Sequence, residues 1–428
     1  MIPSERKNGG RKMKLYHGNI VYSKTREELV ECQNSYIAVQ DGVVEGIYPV
    51  LPEKFAGLPV TDYGEGILIP AFSDLHVHAP QYPQRGTAMD ALLYDWLHGY
   101  TFPLESKYKD LAFAQKVYDA FVEDMIAHGT MHAVVFGTIH PEATGYLIER
   151  MEKAGLHAFV GKVNMDMDSP EYLCEKVEAS LKETEQFLEK YMENKTAKPI
   201  LTPRFAPTCS WKLLKGLGEI GKKYQVGVQT HLVESRWEAE HSVHLYPECG
   251  SDTGIYEHAG LLGNGPVIGA HFIFPREDDI RLLKKYGGYA VQCPDSTLNI
   301  IAGIMQTGAL SDRGVNIGLG SDIAGAANLG IYSQIARSVQ LSKLKEFYEP
   351  EGNRTITFAQ AFWMGTKHAG ALFGNVGSLE PGYQFDALVI DGITDPFHAL
   401  TPSQSIERFC YLGETGHIKA RYLAGEAV

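Results

Sequence analysis

A chain of 428 residues, 44% hydrophobic and 21% charged, carries enough apolar material to bury one large core and a smaller one. Its formal net charge of −13 argues against a surface built for a nucleic-acid backbone or an anionic membrane, since both call for clustered lysine and arginine. No run of about 18 apolar residues occurs, so no transmembrane helix is expected, and the six scattered cysteines form no CxxC pair, which fits reduced thiols in the cytoplasm rather than a disulfide framework.

In chain order, residues 1–12 (MIPSERKNGGRK) are basic but precede no apolar segment, which excludes a secretory signal and reads as a disordered tail. Residues 13–69 read as short strands, among them KLYHGNIVYS and SYIAVQDGVVEGIYP, with tight turns expected at Asp41-Gly42 and Glu45-Gly46. Residues 378–428 have the same texture in PGYQFDALVIDG and IKARYLAGEAV. The two ends are therefore expected to form one small β-sandwich domain flanking a larger domain over 70–377.

That middle alternates apolar runs with amphipathic stretches such as YDAFVEDMIAHG and CSWKLLKGLGEIGKKYQ. Eight runs read as strands: ILIPAFSDLHVH, HAVVFGTI, HAFVGKVNM, KPILTPRFAP, VGVQTHLVES, PVIGAHFIF, GGYAVQCPDS and VNIGLGSDIAG. Eight strands alternating with helices predict an α/β fold, a (β/α)8 barrel of TIM type. An open doubly wound sheet would place a Gly-rich phosphate turn after its first strand, and none is present. In a barrel, reactive groups belong at the C-terminal ends of the strands.

His76 and His78 end the first of these strands, two residues apart and so on one face. Alone they are as consistent with a polar strand end as with a metal clamp. His231 ends the fifth strand and Asp322 the eighth. Each has an ordinary explanation by itself, a hydrogen-bonded histidine or a helix-capping aspartate. At one barrel mouth, three histidines and an aspartate make an N3O donor set for a metal. Glu234 follows His231 by three residues, where the chain leaves the sheet, and is the expected proton shuttle. Its partner would be a water whose pKa a bound divalent metal lowers toward about 7. His271, ending the sixth strand, is placed to stabilise developing charge, although alone it reads as a core histidine.

Other candidates get plainer readings. His241 and His244 fall on the solvated face of a helix, and Cys293 fits a small core residue. His140, just past the second strand, is balanced between lining the site and not. The fourth strand ends in Arg204 and Phe205, where the bridging carboxylated lysine of a two-metal centre would stand. One metal is therefore expected.

The segments HVHAPQYPQRG, YTFPLESKYKD, GKVNMD, TPRFAPTCS, THLVES and GLGSDIAG, in order from about residue 66 to the C-terminus, resemble the guanine deaminases of the amidohydrolase superfamily. The His-x-His pair and the late Asp mark the superfamily; HAPQYP, YTFPLE and TPRFAPTCS mark the narrower group. The resemblance implies that His76, His78, His231 and Asp322 hold one Zn2+, with Fe2+ suiting the same donors. It makes Glu234 the proton shuttle, gives His271 a role at the tetrahedral centre, and has Asp322 also accept a proton. Gln81, Arg204 and Phe205 match purine-contacting positions: Arg204 as a donor to a carbonyl, Gln81 as both donor and acceptor, and Phe205 as an aromatic wall. For Arg204 and Phe205 a rim ion pair and a core ring are the alternative.

The implied reaction is hydrolysis of guanine to xanthine and ammonia, with a small purine base as partner and a homodimer as the assembly. Two departures bear on substrate tolerance: Thr297 stands where relatives carry Asn, and AHFIFP lacks an expected glycine. The competing functions are deamination or dechlorination of another purine, a pyrimidine or a triazine, and an inert, metal-free barrel scaffold. The four intact ligands argue against the scaffold.

Overall fold

The structure, a computed structural model, describes residues 12–395 and 397–428, so residues 1–11 of the expected tail lie outside it. Four strands open the chain: β1 (Met13–Ser23), β2 (Leu29–Gln40), β3 (Val43–Tyr48) and β4 (Val60–Pro70). The β2–β3 turn is the Asp-Gly pair anticipated: Asp41 and Gly42 both take positive φ, 51° and 82°. Gly42 is also required by proximity, because a Cβ there would sit 2.4 Å from the Ala424 carbonyl oxygen. The second expected turn, Glu45-Gly46, is not a turn. Ala38 pairs with Gly46 and Val39 with Val44, so Glu45 is the extra residue of a bulge inside β3. A glycine in a strand marks a bulge as readily as a turn.

The barrel follows. Its strands are β5 (Phe72–His78), β6 (Thr130–Phe136), β7 (His157–Gly161), β8 (Val163–Asn164), β9 (Ala197–Pro199), β10 (Thr202–Pro203), β11 (Val228–Leu232), β12 (Val267–His271), β13 (Tyr289–Gln292) and β14 (Asn316–Leu319). Two parallel arcs, β5-β6-β7-β9 and β11-β12-β13-β14, carry the wall. A bridge from Leu201 to Val228 joins them on one side. On the other, the Asp322 amide donates to the His76 carbonyl and the His78 amide to that of Ile323. The third and fourth expected strands are each split in two, the latter by Pro199 and Pro203, which cannot donate to a ladder.

The wall is buried on both faces, as parallel sheets are. Leu75, Val134, Ile200, Ile268 and Val291 fill the inside. Outside lie amphipathic helices such as Leu111–Ala127 and Trp211–Tyr224. The second starts where the Ser210 hydroxyl accepts the Leu213 N–H, and it buries Leu213, Leu214, Leu217 and Ile220 against the wall.

The chain ends with β15 (Ala387–Ile390), β16 (Ile418–Leu423) and β17 (Glu426–Ala427), which complete a seven-stranded sheet of order β17-β16-β15-β4-β1-β2-β3. Its edge curls back: the Val44 amide donates to Tyr383 and the Phe385 amide to Gly42, enclosing Tyr16, Ile37, Leu68, Phe385 and Val389. The apolar start of ILIPAFSDLHVH belongs here and not to the barrel, with Ile67 to Pro70 pairing with Ile390 to Ala387. The handover falls at Ala71, whose amide still bonds Asp386 while that of Phe72 bonds Gly129 in the barrel. Both sheets bury this stretch, so hydrophobicity alone cannot mark the switch. Among the described residues no helix is long and apolar enough to cross a membrane.

Candidate active site

The expected strand ends meet at the mouth. His76 and His78 project from β5 over the Phe136 ring, their centroids 5.0 and 4.7 Å from it, and the His231 ring lies 4.9 Å from the same ring. His78 Nε2 is 3.1 Å from His231 Nε2. Asp322 Oδ1 is 3.2 Å from His76 Nε2 and 3.5 Å from His78 Nε2. No helix begins at Asp322, which removes the capping explanation; the residue sits in the left-handed region at φ 49°.

The protonation states suit ligation. His231 Nδ1 is 2.6 Å from the Arg204 carbonyl, which can only accept, so Nδ1 carries the hydrogen and Nε2 presents its lone pair. Burial, and then His76, pushes His78 and His231 well below the usual histidine range and keeps both neutral. Burial would raise the Asp322 carboxyl, but the histidines around it, His76 first, pull it well below the usual carboxylate range. His76 Nε2 is buried without a hydrogen bond. Imidazole nitrogens and a carboxylate oxygen 3.1–3.5 Å apart match the edges of a coordination shell with bonds of about 2.0–2.2 Å. The donor set therefore fits a metal.

Glu234 reaches this cluster because of its neighbour. Val233, just past the end of β11, holds φ 43°, a rare value for a β-branched residue. The strained turn swings Glu234 back over the mouth. Two carboxylates clamp it: Asp252 accepts the Val233 N–H at 3.2 Å and Glu238 the Glu234 N–H at 2.8 Å. Glu234 Oε1 lies 3.4 Å from His271 Nε2. Burial and the Asp322 charge push the Glu234 carboxyl up to about 8. Burial brings His271 down to about 4, so its imidazole is neutral. His271 and Phe272 both take positive φ, 72° and 49°, at the end of β12.

Two of the residues expected to contact a purine, Gln81 and Arg204, both bond one more residue, Glu105. Arg204, at the end of the β10 segment, is ion-paired to Glu105 through two hydrogen bonds, Nη1 to Oε2 at 2.7 Å and Nη2 to Oε1 at 3.3 Å. The rim ion pair first read as the alternative for Arg204 thus exists, buried and beside the site. Gln81 donates to Glu105 Oε1 at 3.0 Å and accepts the Ala324 N–H at 3.0 Å. Phe205 is half-buried, its ring centroid 6.5 Å from that of His231.

Compared with known proteins, residues 67–428 match the amidohydrolase family. The chain belongs to it. Curated relatives of this amidohydrolase include a guanine deaminase of Dictyostelium discoideum, 33% identical over 97% of this chain and 98% of that protein. The guanine deaminase of Mus musculus is 34% identical over 84% of this chain and 82% of its own. Among solved structures, guanine deaminase from C. acetobutylicum with guanine bound in its active site superposes with a TM-score of 0.94 at 37% identity, covering 97% of this chain and all of that one.

Three residues of the amidohydrolase site escaped the sequence reading. Asp74 shares the face of His76 and His78 at the same two-residue spacing in DLHVH, and that spacing was a usable signal. It binds Ser321 Oγ at 2.5 Å and the Ser321 amide at 3.0 Å; burial pushes its carboxyl up to about 7. Glu105 stood in YTFPLE without being singled out. Cys293, read as core, has its sulfur grouped with donor atoms of His76, His271 and Asp322, all within 4.8 Å of one another. It directly follows β13, whose last residue is Gln292. Burial and the nearby Asp322 push its thiol well above the usual range, so it is no thiolate.

The other candidate histidines lie apart from these grouped donors. His140 heads the helix Pro141–Ala154, half-buried. His241 stacks on Trp237 and His244 is exposed on the helix Arg236–Leu245. Thr297, at the position expected to be Asn, donates to the Gly303 carbonyl at 2.6 Å and pins its own loop.

Proposed function

We propose that this amidohydrolase hydrolyses guanine to xanthine and ammonia. The observation that carries this reading is the convergence of His76, His78, His231, Asp322, Glu234 and His271 beside Gln81, Arg204 and Phe205, in a fold shared at TM-score 0.94 with a guanine-bound guanine deaminase.

His76, His78, His231 and Asp322 would hold one metal, Zn2+ or Fe2+ by donor type. Bound there, it would lower the pKa of a water toward neutrality. The protein's own groups do the rest. The water oxygen forms a bond to C2 of the base. Glu234 takes a proton from that water and delivers it to the adjacent ring nitrogen, a task suited to a carboxyl whose pKa is near 8. Asp322, ionised beside it, accepts a second water proton. The neutral His271 imidazole steadies charge on the oxygen at the tetrahedral carbon. The C2–N bond then breaks as the proton held on Asp322 passes to the departing amino group, which leaves as ammonia, and xanthine remains with Asp322 ionised again.

Arg204 spends one N–H of each terminal nitrogen on Glu105 and keeps the others for the base carbonyl. Gln81 retains one N–H and one lone pair, and Phe205 offers a wall. The same reading carries a homodimer, testable by light scattering, and a reducing compartment, in keeping with six free cysteines.

The test is ammonia release from guanine, 8-oxoguanine, adenine, cytosine and ammeline. Guanine is expected to give the highest kcat/KM by at least about tenfold. No ammonia from guanine, with turnover of a pyrimidine or triazine, would replace this function with a neighbouring one.

A further inference from the structure

Three groups that no catalytic step uses are tied together beside the metal cluster, and Glu105 is the knot. It ends the short helix Phe102–Glu105, within the excursion between β5 and the helix Leu111–Ala127. The Tyr108 hydroxyl fastens that excursion to the loop after β5 by donating to the Pro80 carbonyl at 2.8 Å. Glu105, Arg204 and Gln81 are respectively 3, 4 and 2% exposed. The Glu105 carboxylate accepts two N–H groups from Arg204 and one from Gln81. The Phe102 ring centroid lies 5.2 Å from the guanidinium carbon.

The knot has two consequences. A two-point carboxylate–guanidinium pair fixes the plane of Arg204, and so the directions of its remaining N–H groups. A carboxylate on one side and the Ala324 N–H on the other allow the Gln81 amide a single orientation. Glu105 also cancels the Arg204 charge. The reading groups thus present fixed donors without net charge, which suits a neutral lactam edge and gives no premium to an anion.

We infer that Glu105 is the positioning residue that sets specificity for the oxo edge of the base, acting through Arg204 and Gln81. This rests on the guanine reading above.

The experiment measures metal content, guanine kinetics and competitive inhibition by 2-aminopurine, which lacks the oxygen at C6, for wild type, Glu105→Gln and Glu105→Asp. In Glu105→Gln the guanine KM is expected to rise about 30-fold with kcat within about threefold, because ground-state contacts are lost and the reacting groups are not. The 2-aminopurine inhibition constant should stay within about threefold of wild type and the metal content unchanged. Glu105→Asp keeps a charge beside Arg204 and carries the test should the first variant not fold; its guanine KM should rise about tenfold, again with 2-aminopurine unaffected. An unchanged guanine KM, or a parallel weakening of guanine and 2-aminopurine, would overturn the inference. Wild-type protein inert toward guanine would instead overturn the function it rests on.

Discussion

At the base of the barrel, Ser73 on β5, His132 on β6 and Asp386 ahead of β15 line up as hydroxyl, imidazole and carboxylate. Ser73 Oγ is 2.9 Å from His132 Nδ1, and His132 Nε2 is 3.0 Å from Asp386 Oδ2. At the mouth, a few residues along the same strand, His76 and His78 face Asp322 at similar distances. The two ends share side-chain types and differ in how their polar atoms are satisfied. Below, every member has partners: Asp386 also accepts from the Ala424 amide and from Gln384, and all three side chains are fully buried. That closed network ties barrel to terminal sheet and has no opening for a substrate. Above, His76 Nε2 and His271 Nδ1 are buried without hydrogen bonds, and Val233, His271 and Asp322 sit in the left-handed region. Unspent donors and backbone strain mark the end built for chemistry.

The contrast can be broken by mutation. His78→Ala should abolish metal retention and lower guanine turnover by at least about 10³-fold while the chain still folds, measured by metal analysis and ammonia release. Glu234→Gln should keep the metal and lower kcat by about 10²–10⁴-fold. Retained turnover would end its role as shuttle. At the base the pattern should invert. His132→Ala leaves Asp386 buried without its partner and should cost about 3–5 kcal/mol of stability in denaturant unfolding, with KM and metal content unchanged.

The smallest effect sharpens the boundary between the two. Burial, and then the Glu234 charge, raise the Glu238 carboxyl above its ordinary value. A raised carboxyl contributes stability below the ordinary carboxylate range and loses it as pH climbs through its folded value. Wild-type Tm should therefore fall with pH across this range. Glu238→Gln, which keeps an oxygen for the Glu234 amide, should fall less, so the gap in Tm widens toward alkaline pH. A gap that does not change with pH would mean the carboxyl is not shifted.

Much of the mouth was legible because strand ends announce themselves: a polar residue closing an apolar run in a barrel points at the site, and His76, His78, His231, His271 and Asp322 all do so. Glu234 was legible by spacing, but the device that turns it inward was not, since nothing about Val233 advertises positive φ. Glu105 carries no periodicity and earns its place only through contacts with residues 24 and 99 positions away. The run Ile67–His78 reads as one strand because both sheets bury it, and only hydrogen-bond partners reveal the handover at Ala71. The base cluster was not read at all: His132 and Asp386 alone lie 254 positions apart, with Ser73 a further 59 upstream, and the three form a site only in space.

The most direct test is to titrate metal back into chelated protein while following ammonia release from guanine. The account predicts activity rising in proportion to bound metal and saturating at about one equivalent per chain, the stoichiometry of one three-histidine, one-carboxylate site. Turnover of guanine at zero metal, or a rise that needs a second equivalent, would contradict it.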